Sequence, residues 1–228
     1  MTKEIYDLIE KYMLSCMEDS AHDKEHIYRV LYNALEIAKA EDEVNYDVLI
    51  TACLLHDIGR KEQFENPSVC HAMVGGEKAF CFLMENGFDE EFSRKVKHCI
   101  QTHRFRKSMQ PESVEAKILF DADKLDVTGA LGIARTLMYK GNVAEPIYNV
   151  LPCGEISDGT QDTAPSFFHE YKFKLEKLYD KFYTASGAQL AQERRKIAVA
   201  FYENLYQEVS IGYASGQEML RERIGENE

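Results

Sequence analysis

The chemistry in this chain is concentrated in its histidines and the acids beside them. Seven histidines stand at 22, 26, 56, 71, 98, 103 and 169, six of them in the first half. Two precede an aspartate, as His22-Asp23 and His56-Asp57. About 0.4 such pairs are expected by chance at this composition, so the dipeptide alone carries little. The setting of His56-Asp57 carries more. It ends the apolar stretch Ala52-Cys53-Leu54-Leu55 and precedes Ile58-Gly59. A carboxylate beside a core needs a cation or strong donors. One reading is a helix C-terminus at which His56 caps carbonyls and Asp57 meets Arg60 or Lys61. A second acidic region, Asp121-Ala122-Asp123-Lys124-Leu125-Asp126, also sits in an apolar helical pattern. Asp121 shares a face with Ile118 and Leu125, and Asp123 one with Ala116, Leu119 and Ala130. Salt bridges through Lys124 or Arg135 are one explanation. His26 lies at the edge of another apolar stripe. Together, His26, His56, Asp57 and one of Asp121 or Asp123 form a two-histidine, two-carboxylate set. Such a set suits a divalent ion, with Mn, Fe, Co, Ni or Zn fitting mixed nitrogen and oxygen donors better than Mg. A bound ion lowers the pKa of its water and orients it on phosphorus.

The elements that must position these residues read as helices. Ile27, Val30, Leu31, Ala34, Leu35 and Ala38 follow the helical repeat, as do Phe92, Val96, Cys99, Ile100 and His103, and Ile118, Leu119, Ala122, Leu125 and Gly129. No stretch alternates over a strand's length. The spacing predicts helices near 3–18, 22–41, 47–58, 69–86, 89–104, 112–140, 166–185 and 188–214, with Ser20 capping the second and Gly87 stopping the fourth. Prolines 67, 111, 146, 152 and 165 fall between them. Residues 141–165, rich in Gly and Pro, read as a lid or linker. Residues 221–228 read as frayed. The expectation is one all-α domain over 1–228, a helical bundle with C-terminal helices packed on it through Phe173, Leu175, Leu178, Phe182, Ile197, Val199, Phe201, Leu205 and Tyr206. A boundary within 141–165 is the alternative.

At 228 residues the chain can bury a proper core without staples. Its formal charge of −12 argues against broad binding to nucleic-acid backbones or anionic lipid, but not against a small phosphorylated substrate. No apolar run spans a membrane and none follows the N-terminus as a signal peptide would, so a cytoplasmic protein is expected. The cysteines at 16, 53, 70, 81, 99 and 153 form no CxxC pair and read as reduced. Oligomeric state is not legible.

The ordered pieces HDKEHIYRV (22–30), ACLLHDIGR (52–60), HAMVGGEKA (71–79), KHCIQTHRF (97–105) and ILFDADKLDVTGALGIART (118–136) resemble the HD superfamily of metal-dependent phosphohydrolases, and within it the bacterial YedJ/YpgQ-type subgroup. They cover most of 20–136, the region of the expected metal site; PSFFHEYKFKLEKLY (165–179) and ASGAQLAQER (185–194) match more weakly. The resemblance implies an all-helical HD-domain bundle and the ligand order His26, His56, Asp57, Asp123. It selects Asp123 over Asp121 because the family's ligand precedes a basic residue and Leu. It implies one divalent ion, with a second accommodated by extra histidines, here His71, His98 and His103, which contact phosphate in other relatives. Asp57 and His56 are the implied catalytic pair, Asp57 also handling the water's proton. Arg29, Lys124 and Arg104, with Arg106 and Lys107, are candidate phosphate contacts, and His22 and Asp23 candidate supports of His26. The segment Asn66-Pro67-Ser68-Val69-Cys70-His71 departs from the family in lacking a basic residue just before the histidine. Lys172, Lys174, Lys177 and Lys181 form a stripe that reads as a solvated face, although His169 and Lys177 could close over a substrate. The implied substrate is a nucleotide or another small phosphate ester. The rivals are a di-iron HD-type oxygenase and a non-catalytic nucleotide-binding regulatory domain.

Overall fold

Side-chain caps set where several helices begin. In the computed structural model, which describes residues 1–17, 24–104 and 109–225, Asn45 accepts from the amides of Asp47 and Val48 to start α3 (Tyr46–Leu55). Asp89 accepts from Phe92 to start α6 (Glu90–Thr102), and Ser113 from Ala116 to start α7 (Val114–Leu125). The other helices of this half are α1 (Lys3–Met17), α2 (Lys24–Ala38), α4 (Arg60–Glu65) and α5 (His71–Glu85). Asn86 caps α5 and Gly87 follows at φ 79°, as expected of that glycine. The region around Ser20, His22 and Asp23 lies outside the described residues, as do Arg106 and Lys107.

The chain divides into two compact units, Met1–Asp126 with Phe182–Gln189, and Val127–Lys181 with Leu190–Glu228. One boundary between the units falls at 126/127. In the first unit α3 is the central post. Val48, Leu49 and Thr51 to Leu55 are all buried, with α2, α6 and α7 packed against it. Each buried Leu here contributes about 1.5–3 kcal/mol. The turn from α3 into α4 runs against α5 so closely that a Cβ on Gly59 would lie 2.3 Å from the His71 carbonyl oxygen and 2.7 Å from the Gly75 nitrogen. Only glycine permits that approach, which brings the start of α5 beside Asp57.

In the second unit α8 (Gly129–Asn142) leads to α9 (Phe167–Phe173), a 3-10 turn (Leu175–Lys177) and the part of α10 (Ala185–Ile224) beyond residue 189. Tyr171 and Tyr202 stack at 4.2 Å between ring centroids, with Phe168 edge-on to Tyr202 at 5.3 Å. Residues 141–165 are tied down by hydrogen bonds, among them Ser157 to the Asn149 carbonyl and the Phe167 and Phe168 amides to the carbonyls of Pro146 and Ile147.

The structure revises several boundaries. The helix expected over 112–140 breaks after Leu125, because Asp126 caps α7 and Gly129 takes φ 63°. The helix expected over 166–185 is α9 plus a 3-10 turn. α10 runs to Ile224, through residues expected to fray. α4 was not expected at all. Among the described residues there is no strand, only an isolated bridge between Val150 and Ile156, and no helix is long and apolar enough to cross a membrane.

Candidate metal centre

Five helices deliver the candidate ligands. His26 lies in the first turn of α2, His56 and Asp57 directly after α3, His71 at the first position of α5, His103 directly after α6, and Asp123 in the last turn of α7. At the ends of α3 and α6 the histidine turns back on its own helix. His56 Nδ1 donates to the Cys53 carbonyl at 2.7 Å and His103 Nδ1 to that of Ile100 at 2.6 Å. Each ring thus donates to a carbonyl in the last turn of its own helix; that of Ile100 also accepts the His103 amide. His26 Nδ1 donates to Asp126 Oδ2 at 2.8 Å, and His71 Nδ1 to Gln63 Oε1 at 2.5 Å. With each Nδ1 engaged in this way, the four Nε2 atoms are turned toward the centre.

Those Nε2 atoms converge on two aspartates. His26 Nε2 lies 3.3 Å from His56 Nε2, 3.3 Å from Asp123 Oδ1 and 3.6 Å from Asp57 Oδ2. His56 Nε2 is 3.8 Å from Asp57 Oδ2 and 3.9 Å from Asp123 Oδ1. The other Asp57 oxygen, Oδ1, is 3.3 Å from His71 Nε2 and 3.7 Å from His103 Nε2, which are 3.2 Å apart. Two ligand groups result, one of His26, His56 and Asp123 and one of Asp57, His71 and His103. Asp57 turns one oxygen toward each. An ion with bonds of about 2.0–2.2 Å holds adjacent donors about 3.0–3.5 Å apart, so the residues present fit a divalent cation.

Electrostatics divide the histidines of the metal-free centre into two kinds. Burial lowers the His26 pKa, but hydrogen bonds to Asp123, Asp126 and Asp57 outweigh it and lift the ring to about 11. Burial pushes the Asp57 carboxyl up; the His56 ring, the His26 hydrogen bond and the Arg60 guanidinium override it and hold the acid well below the usual carboxylate range. Asp123 is likewise held low against its burial, by His26 and then His56. Burial drives His103 down to about 4 and His71 to about 2, with Arg60, His103 and Arg104 adding to the fall in His71 and Asp57 opposing it. His71 and His103 are therefore neutral. With each Nδ1 turned to its own partner, their Nε2 atoms face each other at 3.2 Å. Such an arrangement asks for a cation.

Other candidates lie elsewhere. Asp121 is fully buried and accepts from the Tyr183 amide at 2.9 Å, and from the Thr184 amide and hydroxyl at 2.7 Å each. It anchors the chain entering α10 and is not a member of either ligand group. Arg29, a candidate phosphate contact, grips Asp126 through Nε at 2.7 Å and Nη2 at 3.1 Å. Lys124 lies over the Phe120 ring at 4.1 Å and near that of Phe182 at 5.5 Å. His98 belongs to neither group. It lines a shallow cavity of about 440 Å³ with Phe80, Arg94, Lys97 and Gln101. Arg104, next to His103, keeps a buried Nη1 without a hydrogen-bond partner among the described residues. In the second unit, His169 stacks on Phe173 at 4.4 Å, with Lys177 4.9 Å from the same ring. All six cysteines are free.

Sequence reasoning missed Asp126 and Gln63 as supports. Asp126 stands 100 positions from the histidine it orients. Gln63 carries no sequence signal. Arg60, one of the two cations that the local sequence offers Asp57, donates from Nε to Asp57 Oδ1 at 2.9 Å.

A buried histidine–aspartate centre on an all-helical frame defines the class. Residues 24–128 match the HD domain, and the chain belongs to the HD superfamily. It is 30% identical over 196 residues to the uncharacterized protein YpgQ of Bacillus subtilis, covering 84% of this chain and 86% of that one. The crystal structure of YpgQ in complex with ADP superposes with a TM-score of 0.69 at 27% identity, covering 90% of this chain and 97% of the other. An HD-superfamily hydrolase of Bacillus thuringiensis superposes with a TM-score of 0.70 at 30% identity, again over 90% and 97%.

Proposed function

We propose that this chain is a metal-dependent phosphohydrolase that acts on a nucleotide or another small phosphate ester. The observation that carries this reading is the convergence of Nε2 atoms, each with its Nδ1 engaged elsewhere, on ionised Asp57 and Asp123. His26, His56, Asp57 and Asp123 would hold the ion. The ion, when bound, supplies positive charge to a phosphate oxygen and acidifies a water. Asp57 stays ionised beside the reacting point and accepts the water's proton. The Nη1 of Arg104, without a hydrogen-bond partner among the described residues, would supply a donor for a phosphoryl oxygen. The solved complex of YpgQ with ADP supports a nucleotide as the class to test first.

The test is to incubate the chain with Mn²⁺ and a panel of nucleoside mono-, di- and triphosphates, measuring phosphate and pyrophosphate separately, with Asp57→Ala alongside. Release by the wild type and not by the variant supports the reading and reports which bond is cut. Tight nucleotide binding without turnover under any metal would favour a non-catalytic regulatory domain. The Asp57, His71 and His103 group is what a di-iron oxygenase would need, and two irons per chain with oxygen consumption would favour that alternative.

A further inference from the structure

A second ion at Asp57 Oδ1, His71 and His103 has a competitor already in place. Arg60 donates from Nε to that same oxygen at 2.9 Å, closer than either histidine nitrogen at 3.3 and 3.7 Å. The Arg60 side chain is one-third exposed, so it has solvent to swing into, whereas the Asp57 side chain is almost wholly buried. The helix that carries Arg60 also carries Gln63, whose amide oxygen orients His71. Its first turn and the next therefore form one wall of the second position. That helix has no buried residue, and its start is fixed by the tight approach of Gly59 to α5.

We infer that Arg60 and a second divalent ion are alternative occupants of Asp57 Oδ1, so that the guanidinium keeps the centre at one tightly held ion until it is displaced. This rests on the metal site proposed above. A carboxylate oxygen that gives its lone pair to a guanidinium has less to offer a metal, and a fixed positive charge beside the position repels a divalent one. The Nε2 atoms of His71 and His103 face the position whether or not Arg60 is in place, so it is restrained rather than abolished. Arg60 is thus a positioning residue acting through Asp57. A phosphate group that draws the guanidinium away would open the second position, tying its filling to an anionic substrate.

The experiment is calorimetric titration of the metal-free full-length chain with Mn²⁺, with bound metal counted by elemental analysis. The wild type is expected to take one equivalent tightly and a second about 100-fold more weakly. Arg60→Gln is expected to tighten the second by about tenfold or more and to leave the first within about threefold. Arg60→Lys, which keeps the charge, is expected to leave the second weak. Adding His71→Ala to Arg60→Gln should remove the gained equivalent. A wild type with two equal equivalents overturns the inference, as does an Arg60→Gln second affinity equal to the wild type's or a gain that survives His71→Ala. Helical circular dichroism and retention of the first equivalent verify folding; were Arg60→Gln to fail there, the ratio of the two wild-type affinities decides alone. A wild type that takes up no Mn²⁺ defeats the proposed metal site as well, whereas one tight ion with no gain in the variant defeats only the role of Arg60.

Discussion

His26 and His71 meet the same aspartate, one near Oδ2 of Asp57 and the other near Oδ1, yet they are braced by different chemistry. Behind His26 stands Asp126, a carboxylate held in a two-point grip by Arg29. Behind His71 stands Gln63, a neutral amide on a short exposed helix. The rings also titrate differently: Asp123, Asp126 and Asp57 together lift His26 to about 11, while burial takes His71 down to about 2. A carboxylate behind a ligand ring raises its basicity more than a neutral amide does, and basicity governs how strongly a ring holds a cation. Asp57 is shared and Arg60 bears on one side only, which sharpens the asymmetry.

The largest effect comes from removing what both halves share. Asp57→Ala is expected to lower hydrolysis by about 10³-fold or more, since it takes a ligand and a proton acceptor together. Calorimetry should find both Mn²⁺ equivalents weakened. A variant that lost only the second equivalent would break the bridging role.

The next contrast tests the braces. Asp126→Asn is expected to weaken the first Mn²⁺ equivalent by about 10–100-fold, the range for losing such a support. Gln63→Ala is expected to leave the first equivalent unchanged and to weaken the second by about tenfold. Equal effects of the two variants on one equivalent would erase the distinction.

How much of this was legible in the sequence follows residue type and distance along the chain. His26, His56 and Asp57 could be nominated because polar groups at the edge of apolar stripes stand out. Periodicity could not choose between Asp121 and Asp123, because both adjoin apolar neighbours. The family resemblance chose Asp123, and the structure shows why both are placed inward. Asp123 faces the histidines, while Asp121 accepts from Tyr183 and Thr184, partners 62 and 63 residues away. The break after Leu125 was hidden because apolar spacing continues from Leu125 to Gly129. What interrupts it is backbone, a positive φ at Gly129 and the close approach of Gly132 to the Val127 carbonyl. α4 was hidden for the opposite reason, being too short and polar to show a stripe, and with it went Gln63. Braces of this kind are contacts between segments far apart in the chain, which no local pattern encodes.

The same pair of acids gives a prediction of moderate size. Asp121→Ala strips acceptors from two amides and a hydroxyl, and each buried donor left unpaired costs about 1–3 kcal/mol. We expect a loss of at least about 2 kcal/mol in urea unfolding, with Mn²⁺ affinity within about threefold of wild type. Asp123→Ala should cost the first equivalent, and the metal-free chain also loses the contact of Asp123 with the His26 ring. If Asp121→Ala abolished metal binding in a chain that remained folded, the division of labour between the two acids would be wrong.

The smallest effect is expected at His98, five positions before His103 on α6. The helix ends between them and the two rings go to different places. His103 turns back to cap Ile100 and offers Nε2 to Asp57, whereas His98 is partly exposed in a shallow cavity with Arg94 and Lys97. Spacing alone made them look alike as second-metal or phosphate ligands. His98→Ala should change Mn²⁺ affinity and turnover by less than about twofold, as surface substitutions away from special contacts do. His103→Ala should cost the second equivalent. A tenfold loss with His98→Ala, measured beside a folded His103→Ala control, would mean that the surface cavity belongs to the functional site and that the centre extends beyond the two ligand groups.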